Sequence, residues 1–421
     1  MPFAILEELS ISRVLLLQGP VGPFFARFAS FLEASGAHVE KVNFNGGDCL
    51  FYAHAEHVFR GALEEWPAYV EALLTTHRFD WVVLFGDCRP IHRAAREVAG
   101  RLGVRVAAFE EGYVRPQFVT LERGGVNDFS SLPRDPEHYL RQPPAGPVPA
   151  SATLGNTYWP MALCAFLYYL AALLARRWFP RYVHHRPLAA SEAWVWVRSA
   201  VRKWVYRVRE AGLDRRLTEE NSREFFLVPL QVHNDAQVTV HSDFGSVEAF
   251  VLEVIVSFAA HAPAGTLLVF KHHPLDRGYH DYAPLIGAEA RRLGVEARVL
   301  YLHDQHLPSL LDHARGAVVI NSTVGLQALD HGTPLKVCGR ALYALEGLTF
   351  QGALDDFWGA SATFRPDAAL HGAFKAHLLA RTQIVGSFYR ALPSGAPLAL
   401  VLPERRASSP DDALEAPFAA E

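Results

Sequence analysis

Short runs of β-branched and aromatic residues that end abruptly in glycine or charged clusters recur along this chain, each followed by a stretch of helical period. That alternation predicts strands and helices wound into parallel sheets. In the first half the expected strands are Arg13 to Leu17, His38 to Asn43, Trp81 to Phe85 and Val104 to Phe109, with helices over Phe24 to Gly36 and Ile91 to Leu102. In the second half, strands at Phe225 to Gln231, Leu267 to Phe270, Ala297 to Leu300, Gly316 to Ile320 and Leu335 to Val337 alternate with helices such as Phe250 to Ala260 and Ser309 to Arg315. The expected fold class is α/β, with two Rossmann-like domains facing a central cleft.

Between the halves the pattern changes. From Tyr158 to Ala175 there are eighteen residues without a charge, near the lower limit for spanning a bilayer. Arg176 to Arg216 then holds eleven Lys/Arg against three acids, with Trp178, Trp194, Trp196 and Trp204 interleaved. An uncharged helix joined to a basic, Trp-rich amphipathic stretch suits an interfacial membrane anchor. A buried core helix and a spanning helix are the other two readings. The domain plan is residues 1–152, an N-terminal Rossmann-like domain; 153–223, the hydrophobic and basic helical insertion; 224–350, a C-terminal Rossmann-like domain; 351–402, helices packing back on the first domain; and 403–421, a disordered tail.

Composition narrows the function classes. At 421 residues and 50% hydrophobic, the chain can bury two cores. A net charge of −4 gives no reason to expect nucleic acid. Cys49, Cys88, Cys164 and Cys338 are far apart without a Cys-x-x-Cys pair, which argues against a disulfide framework or zinc site. The histidines are scattered, and no Asp-x-Asp pair stands at a strand end, so no metal is expected. Without a basic region, apolar run and cleavage site at its start, the chain reads as cytosolic.

In open α/β sheets, ligands bind beyond the carboxyl ends of the strands. Two strand ends of the second half carry Lys271-His272-His273-Pro274 and Asn321-Ser322-Thr323-Val324-Gly325. Positive charge from one, hydroxyls and N–H groups from the other suit a phosphate or carboxylate ligand. Pro274 turns the chain off its strand end. In the first half, Glu110 and Glu111 stand at a strand end beside Gly112, the best-placed acids for catalysis; in the bland alternative one of them pairs with Arg115. Gln18, Gly19 and Gly22 form a tight strand-to-helix turn or an acceptor-binding loop. Asn45, in the loop 43–48, has turn chemistry as its default explanation.

The segments at Gln18 to Phe25, Val42 to Asp48, Glu110 to Pro116, Phe270 to Gly278 and Asn321 to Gly325, in this order, resemble those of the KpsS/LipB-type capsular polysaccharide proteins. The resemblance runs from about Arg13 to about Leu348. It implies a GT-B-like fold and a bacterial β-Kdo transferase, which moves Kdo from CMP-Kdo to a phosphatidylglycerol-type lipid at the inner face of the cytoplasmic membrane. This starts the poly-Kdo linker of a capsule, which a KpsC-type transferase then extends. It further implies an acidic nucleophile with retention at Glu111, where the KpsC-type relative has Asp; the longer arm moves the carboxylate by roughly 1.5 Å. Glu110 and Lys271 join it as catalytic candidates. Lys271, His273, Pro274, Ser322, Thr323 and Gly325 are assigned to the CMP-sugar, and Gln18, Gly19, Gly22, Asn45 and Arg115 to the sugar or acceptor. No cofactor is implied beyond the donor. The expected partners are the lipid acceptor, an anionic membrane surface and other capsule assembly proteins. A scaffold or export partner without catalytic activity is the alternative.

Overall fold

The computed structural model describes residues 2–114, 117–141, 158–183, 191–390 and 400. Arg115 and the tail from 403 lie outside them. Strands β1 (Arg13–Leu16), β2 (His38–Asn43), β3 (His57–Val58), β4 (Trp81–Phe85), β5 (Arg105–Glu111) and β6 (Phe118–Arg123) build the first sheet. Strands β7 (Phe225–Pro229), β8 (Leu267–Lys271), β9 (Val299–Leu302), β10 (Gly316–Val319) and β11 (Leu335–Val337) build the second, and β12 (Gln383–Val385) returns to the first. The orders are β12-β6-β5-β4-β1-β2-β3 and β11-β10-β7-β8-β9. The second sheet is parallel throughout. Every residue of β4, β7 and β8 is buried, as expected where helices cover both faces of a sheet.

The first sheet is mixed. β6 runs antiparallel to β5, and β12 antiparallel to β6. The polar residues of β6 hide it from a search for apolar runs, yet Glu122 is buried. Burial pushes its carboxyl up to about 7, against the opposing hydrogen bonds from Ser130 and Tyr113.

The C-terminal segment divides between the lobes. Trp358, on the Leu354–Ala360 helix, packs edge-on to Phe226 of β7 with ring centroids 4.8 Å apart, so this helix belongs to the second lobe. The Ala368–Thr382 helix crosses back, setting Phe374 5.2 Å from the Tyr139 ring, and leads into β12. The return to the first domain expected from residue 351 therefore begins beyond Ala360.

The Tyr158–Leu174 helix, called here the apolar helix, is seated by two glycines. A Cβ on Gly46 would lie 2.4 Å from the Ala171 carbonyl oxygen, and one on Gly47 2.5 Å from the Tyr168 ring. The Tyr168 hydroxyl donates to Asp48 Oδ1 at 2.9 Å, and Gln18 Nε2 donates to the Tyr168 and Tyr182 hydroxyls at 3.0 and 2.9 Å. Removing that hydroxyl leaves buried Asp48 short of a partner. Tyr168→Phe is expected to cost about 1–3 kcal/mol in chemical denaturation, whereas an unchanged midpoint would mean that the seat rests on packing alone. No helix among the described residues is long and apolar enough to cross a membrane.

Candidate functional site

Each sheet reverses its strand order once, between β1 and β4 in the first lobe and between β7 and β10 in the second. A ligand crevice opens at such a switch point, outside the carboxyl ends of the strands. In the first lobe Arg89, just beyond β4, donates from Nη1 to Gln18 Oε1, just beyond β1, at 2.8 Å. In the second lobe Gln231, beyond β7, donates from Nε2 to Asn321 Oδ1, beyond β10, at 3.0 Å. The two crevices meet. Cys88 Sγ lies 3.2 Å from His241 Nε2, and the His241 carbonyl oxygen accepts from Asn321 Nδ2 at 3.3 Å. A second bridge runs from Arg340 Nε to Asp128 Oδ2 at 3.2 Å. The strand ends of both lobes thus line one cleft, the geometry of a GT-B-like fold.

Glu110 and Glu111 close β5 beside this junction. A methyl at Gly86, whose φ is +71°, would lie 3.5 Å from Glu110 Oε2 and 4.0 Å from Arg89 Nε. Glu110 Oε1 also accepts from the Glu111 N–H at 3.0 Å. Glu111 Oε1 accepts from the Tyr389 hydroxyl at 3.1 Å. Burial and the Glu111 carboxylate hold that phenol well above its ordinary value, so Tyr389 stays a donor. Gly112 is needed because a Cβ there would sit 2.1 Å from the Phe118 carbonyl oxygen as the chain turns into β6.

Across the cleft, Lys271 ends β8, buried, with Nζ 3.5 Å from the His303 carbonyl oxygen. Burial pulls its ammonium down, and the Glu210 carboxylate opposes this. His273 caps the short Pro274–Asp276 helix, its Nδ1 accepting from the Leu275 N–H at 3.2 Å, while Pro274 is exposed. His272 points into the lobe instead, where burial pushes its imidazole down to about 3. Ser322 and Thr323 are half-buried beyond β10, and Ser322 Oγ accepts from the Val324 N–H at 3.3 Å. Gly325 makes room for Tyr343, whose hydroxyl would lie 2.3 Å from a Cβ there.

Of the assigned acceptor residues in the first lobe, Gln18, Gly22 and Asn45 meet the apolar helix. Asn45 is 1% exposed, caps the Gly46–Phe51 helix through the Gly47 and Asp48 N–H groups, and donates to Tyr168 at 2.7 Å. Gly19 has the Phe25 ring 2.7 Å from a Cβ position, and Gly22, at φ +121°, faces Cys164 of the helix. Gln18 alone among them links this seat to the cleft, through Arg89.

The Ser191–Arg209 helix, the basic helix, sits on the second lobe in the same manner. A Cβ on Gly278 would lie 2.5 Å from the Val195 carbonyl oxygen, and Arg202 donates to the Arg277 carbonyl at 2.9 Å. Beyond its end, Glu210 accepts from the His303 and Asp304 N–H groups at 2.8 and 3.0 Å. Burial raises the Glu210 carboxyl, but these bonds and the His303 ring outweigh it and hold it below the ordinary value.

Each of these helices leaves an apolar stripe exposed. Trp159, Leu163, Phe166, Leu170 and Leu174 recur at helical spacing on one, and Trp194, Val197, Val201, Trp204 and Val208 on the other.

Among the described residues, two groups hold metal-ligating atoms within 4.8 Å of one another: Glu40, His57 and His77; and Asp87, Cys88 and His241. A guanidinium already engages both carboxylates, Arg13 on Glu40 and Arg96 on Asp87, each at 3.3 Å. Arg89, Cys88, His241 and Tyr389 were not among the site residues expected from the sequence. The switch-point rule applied to Gly86-Asp87-Cys88-Arg89 would have found Arg89. Nothing local marks Tyr389.

The family model described as capsule polysaccharide biosynthesis protein matches residues 80–389, and the chain belongs to that family. Within it the chain is of the KpsS/LipB type. It is 44% identical over 388 residues to the capsule polysaccharide export protein KpsS of Escherichia coli, covering 92% of this chain and 99% of that one. It is 42% identical over 389 residues to the capsule polysaccharide modification protein LipB of Neisseria meningitidis, covering 90% and 92%. Among solved structures it resembles Thermosulfurimonas dismutans KpsC, a beta Kdo 2,7 transferase, at 14% identity and a TM-score of 0.36, over 86% of this chain and 99% of that one. The family defines a protein of capsule polysaccharide biosynthesis.

Proposed function

We propose that this protein transfers Kdo from CMP-Kdo to a phosphatidylglycerol-type lipid, at the cytoplasmic face of the membrane, and so starts the linker on which a capsule is built. The observation that supports the reading is the junction of the two switch points through Cys88 and His241, which joins the lobe with the acidic strand end to the lobe with the cationic one. In this reading Lys271 and the Ser322-Thr323 loop neutralise the departing CMP phosphate. The Glu111 carboxylate attacks the anomeric carbon, and the bonding pair leaves with CMP. The acceptor hydroxyl then displaces Glu111 and gives its proton to Glu110, restoring the original configuration. No cofactor is needed beyond the donor.

The lipid side of the proposal is supported by the two exposed stripes. They lie on helices seated just beyond β2 and β8, on the same edge as the cleft, with Trp and Arg residues suited to an anionic interface. A KpsC-type transferase would then take up the product.

Incubating the purified chain with CMP-Kdo and lyso-phosphatidylglycerol should release CMP and increase the lipid mass by one Kdo residue. Membrane binding without CMP release would instead favour a scaffold of the assembly machinery.

A further inference from the structure

The amino ends of β7, β10 and β11 lie on the edge of the second sheet opposite the cleft. Beside them is a cavity of about 470 Å³ lined by Arg223, Arg315, Gly332, Pro334, Ser361 and Arg365. Its three arginines come from different parts of the chain: Arg223 just before β7, Arg315 immediately before β10, and Arg365 beyond the Leu354–Ala360 helix.

Neutral oxygens hold them in place. Arg223 Nη1 donates to the Ala314 carbonyl at 2.9 Å and Arg315 Nε to Ser361 Oγ at 3.3 Å, while Arg365 Nη1 donates to the Ser361 carbonyl at 2.9 Å. Among the described residues, no carboxylate lies within ion-pair distance of any of the three. Each guanidinium has five N–H donors, so most of them remain available to a ligand. Arg223 also has a left-handed backbone, φ +65°, held by its N–H donating to the His313 carbonyl at 2.7 Å.

We propose that this cavity is a second anion site, distinct from the cleft, which takes a soluble phosphate-bearing ligand of two or more charges. Three convergent forks match a tetrahedral or bridged phosphate, whose oxygens accept from several directions; a single planar carboxylate would leave two of the charges unmatched. A phospholipid headgroup offers the same chemistry. However, both exposed apolar stripes lie at the opposite edge of the sheets, so a bilayer touching them is remote from this cavity.

Inorganic pyrophosphate titrated calorimetrically into the full chain is the test. Binding is expected with CMP present at saturation to occupy the cleft, with Arg315→Ala and Arg365→Ala each weakening it about tenfold. Arg315→Lys should recover part of the loss, because it restores charge without the fork. Thermal unfolding without ligand should match wild type in Arg365→Ala, whose side chain is exposed, so a loss of binding there is not a loss of fold. Absence of binding under saturating CMP, or equal affinity in the arginine variants, would each overturn the proposal. So would arginine-dependent binding to phosphatidylglycerol vesicles with none to pyrophosphate.

Discussion

Glu111→Gln is expected to lower turnover of CMP-Kdo at least about a thousandfold while leaving the fold intact. The substitution is isosteric, and the amide oxygen still accepts from the Tyr389 hydroxyl that holds Glu111 Oε1 at 3.1 Å. What is lost is the negative charge that attacks the anomeric carbon, and no neighbouring group restores it in the same place. Glu110 carries a second carboxylate, but its Oε1 is turned back to the Glu111 N–H. Glu110→Gln removes only the proton acceptor of the second step, for which a loss of about a hundredfold is expected. The order of these effects is informative. Were Glu110 the more sensitive position, the roles would be exchanged. Were Glu111→Gln to turn over within about tenfold of wild type, the nucleophile would lie elsewhere. Mass spectrometry of wild type with donor alone should show the protein gaining one Kdo residue, and Glu111→Gln should not.

The parts of this fold that were legible in the sequence are those whose signal is local. Leu267 to Phe270 is continuously apolar because β8 is covered on both faces, and Lys271-His272-His273-Pro274 breaks that run where the strand meets the cleft. Strand β6 was not legible, since Thr120 and Glu122 interrupt its apolar pattern; only the tertiary contacts with Gln383, Tyr113 and Ser130 make those polar groups tolerable in a core. Gly46-Gly47 illustrates a different limit. A glycine pair after a strand reads as a turn or a ligand loop, but its role is to let the apolar helix approach closely, and that helix begins more than a hundred residues later. The junction of Cys88 with His241 is of the same kind: each residue is unremarkable in its own segment. Sequence supplies the strand ends, and topology decides which of them meet.

Membrane docking gives the second large effect. On the basic helix Trp194, Val197, Val201, Trp204 and Val208 follow at alternating steps of three and four, so they share one face and stand exposed. Arg202 reaches into the second lobe, while Lys203, Arg207 and Arg209 are exposed. Burying one large apolar side chain in an interface contributes about 1.5–3 kcal/mol, so Trp204→Ala should weaken partition into anionic vesicles at least about tenfold, and Trp194→Ala with Trp204→Ala about a hundredfold. Circular dichroism should be unchanged, because both side chains already face solvent. Raising salt should weaken binding further, since the basic groups act through a screened field. Two acceptors separate docking from chemistry. With a micelle-free short-chain lyso-lipid the double variant should turn over like wild type, whereas with acceptor embedded in vesicles its rate should fall in step with binding. Equal loss with both acceptors would mean that the tryptophans shape the cleft rather than find the membrane. Unchanged vesicle binding would leave the exposed stripes without a lipid role and remove the main support for a membrane-embedded acceptor.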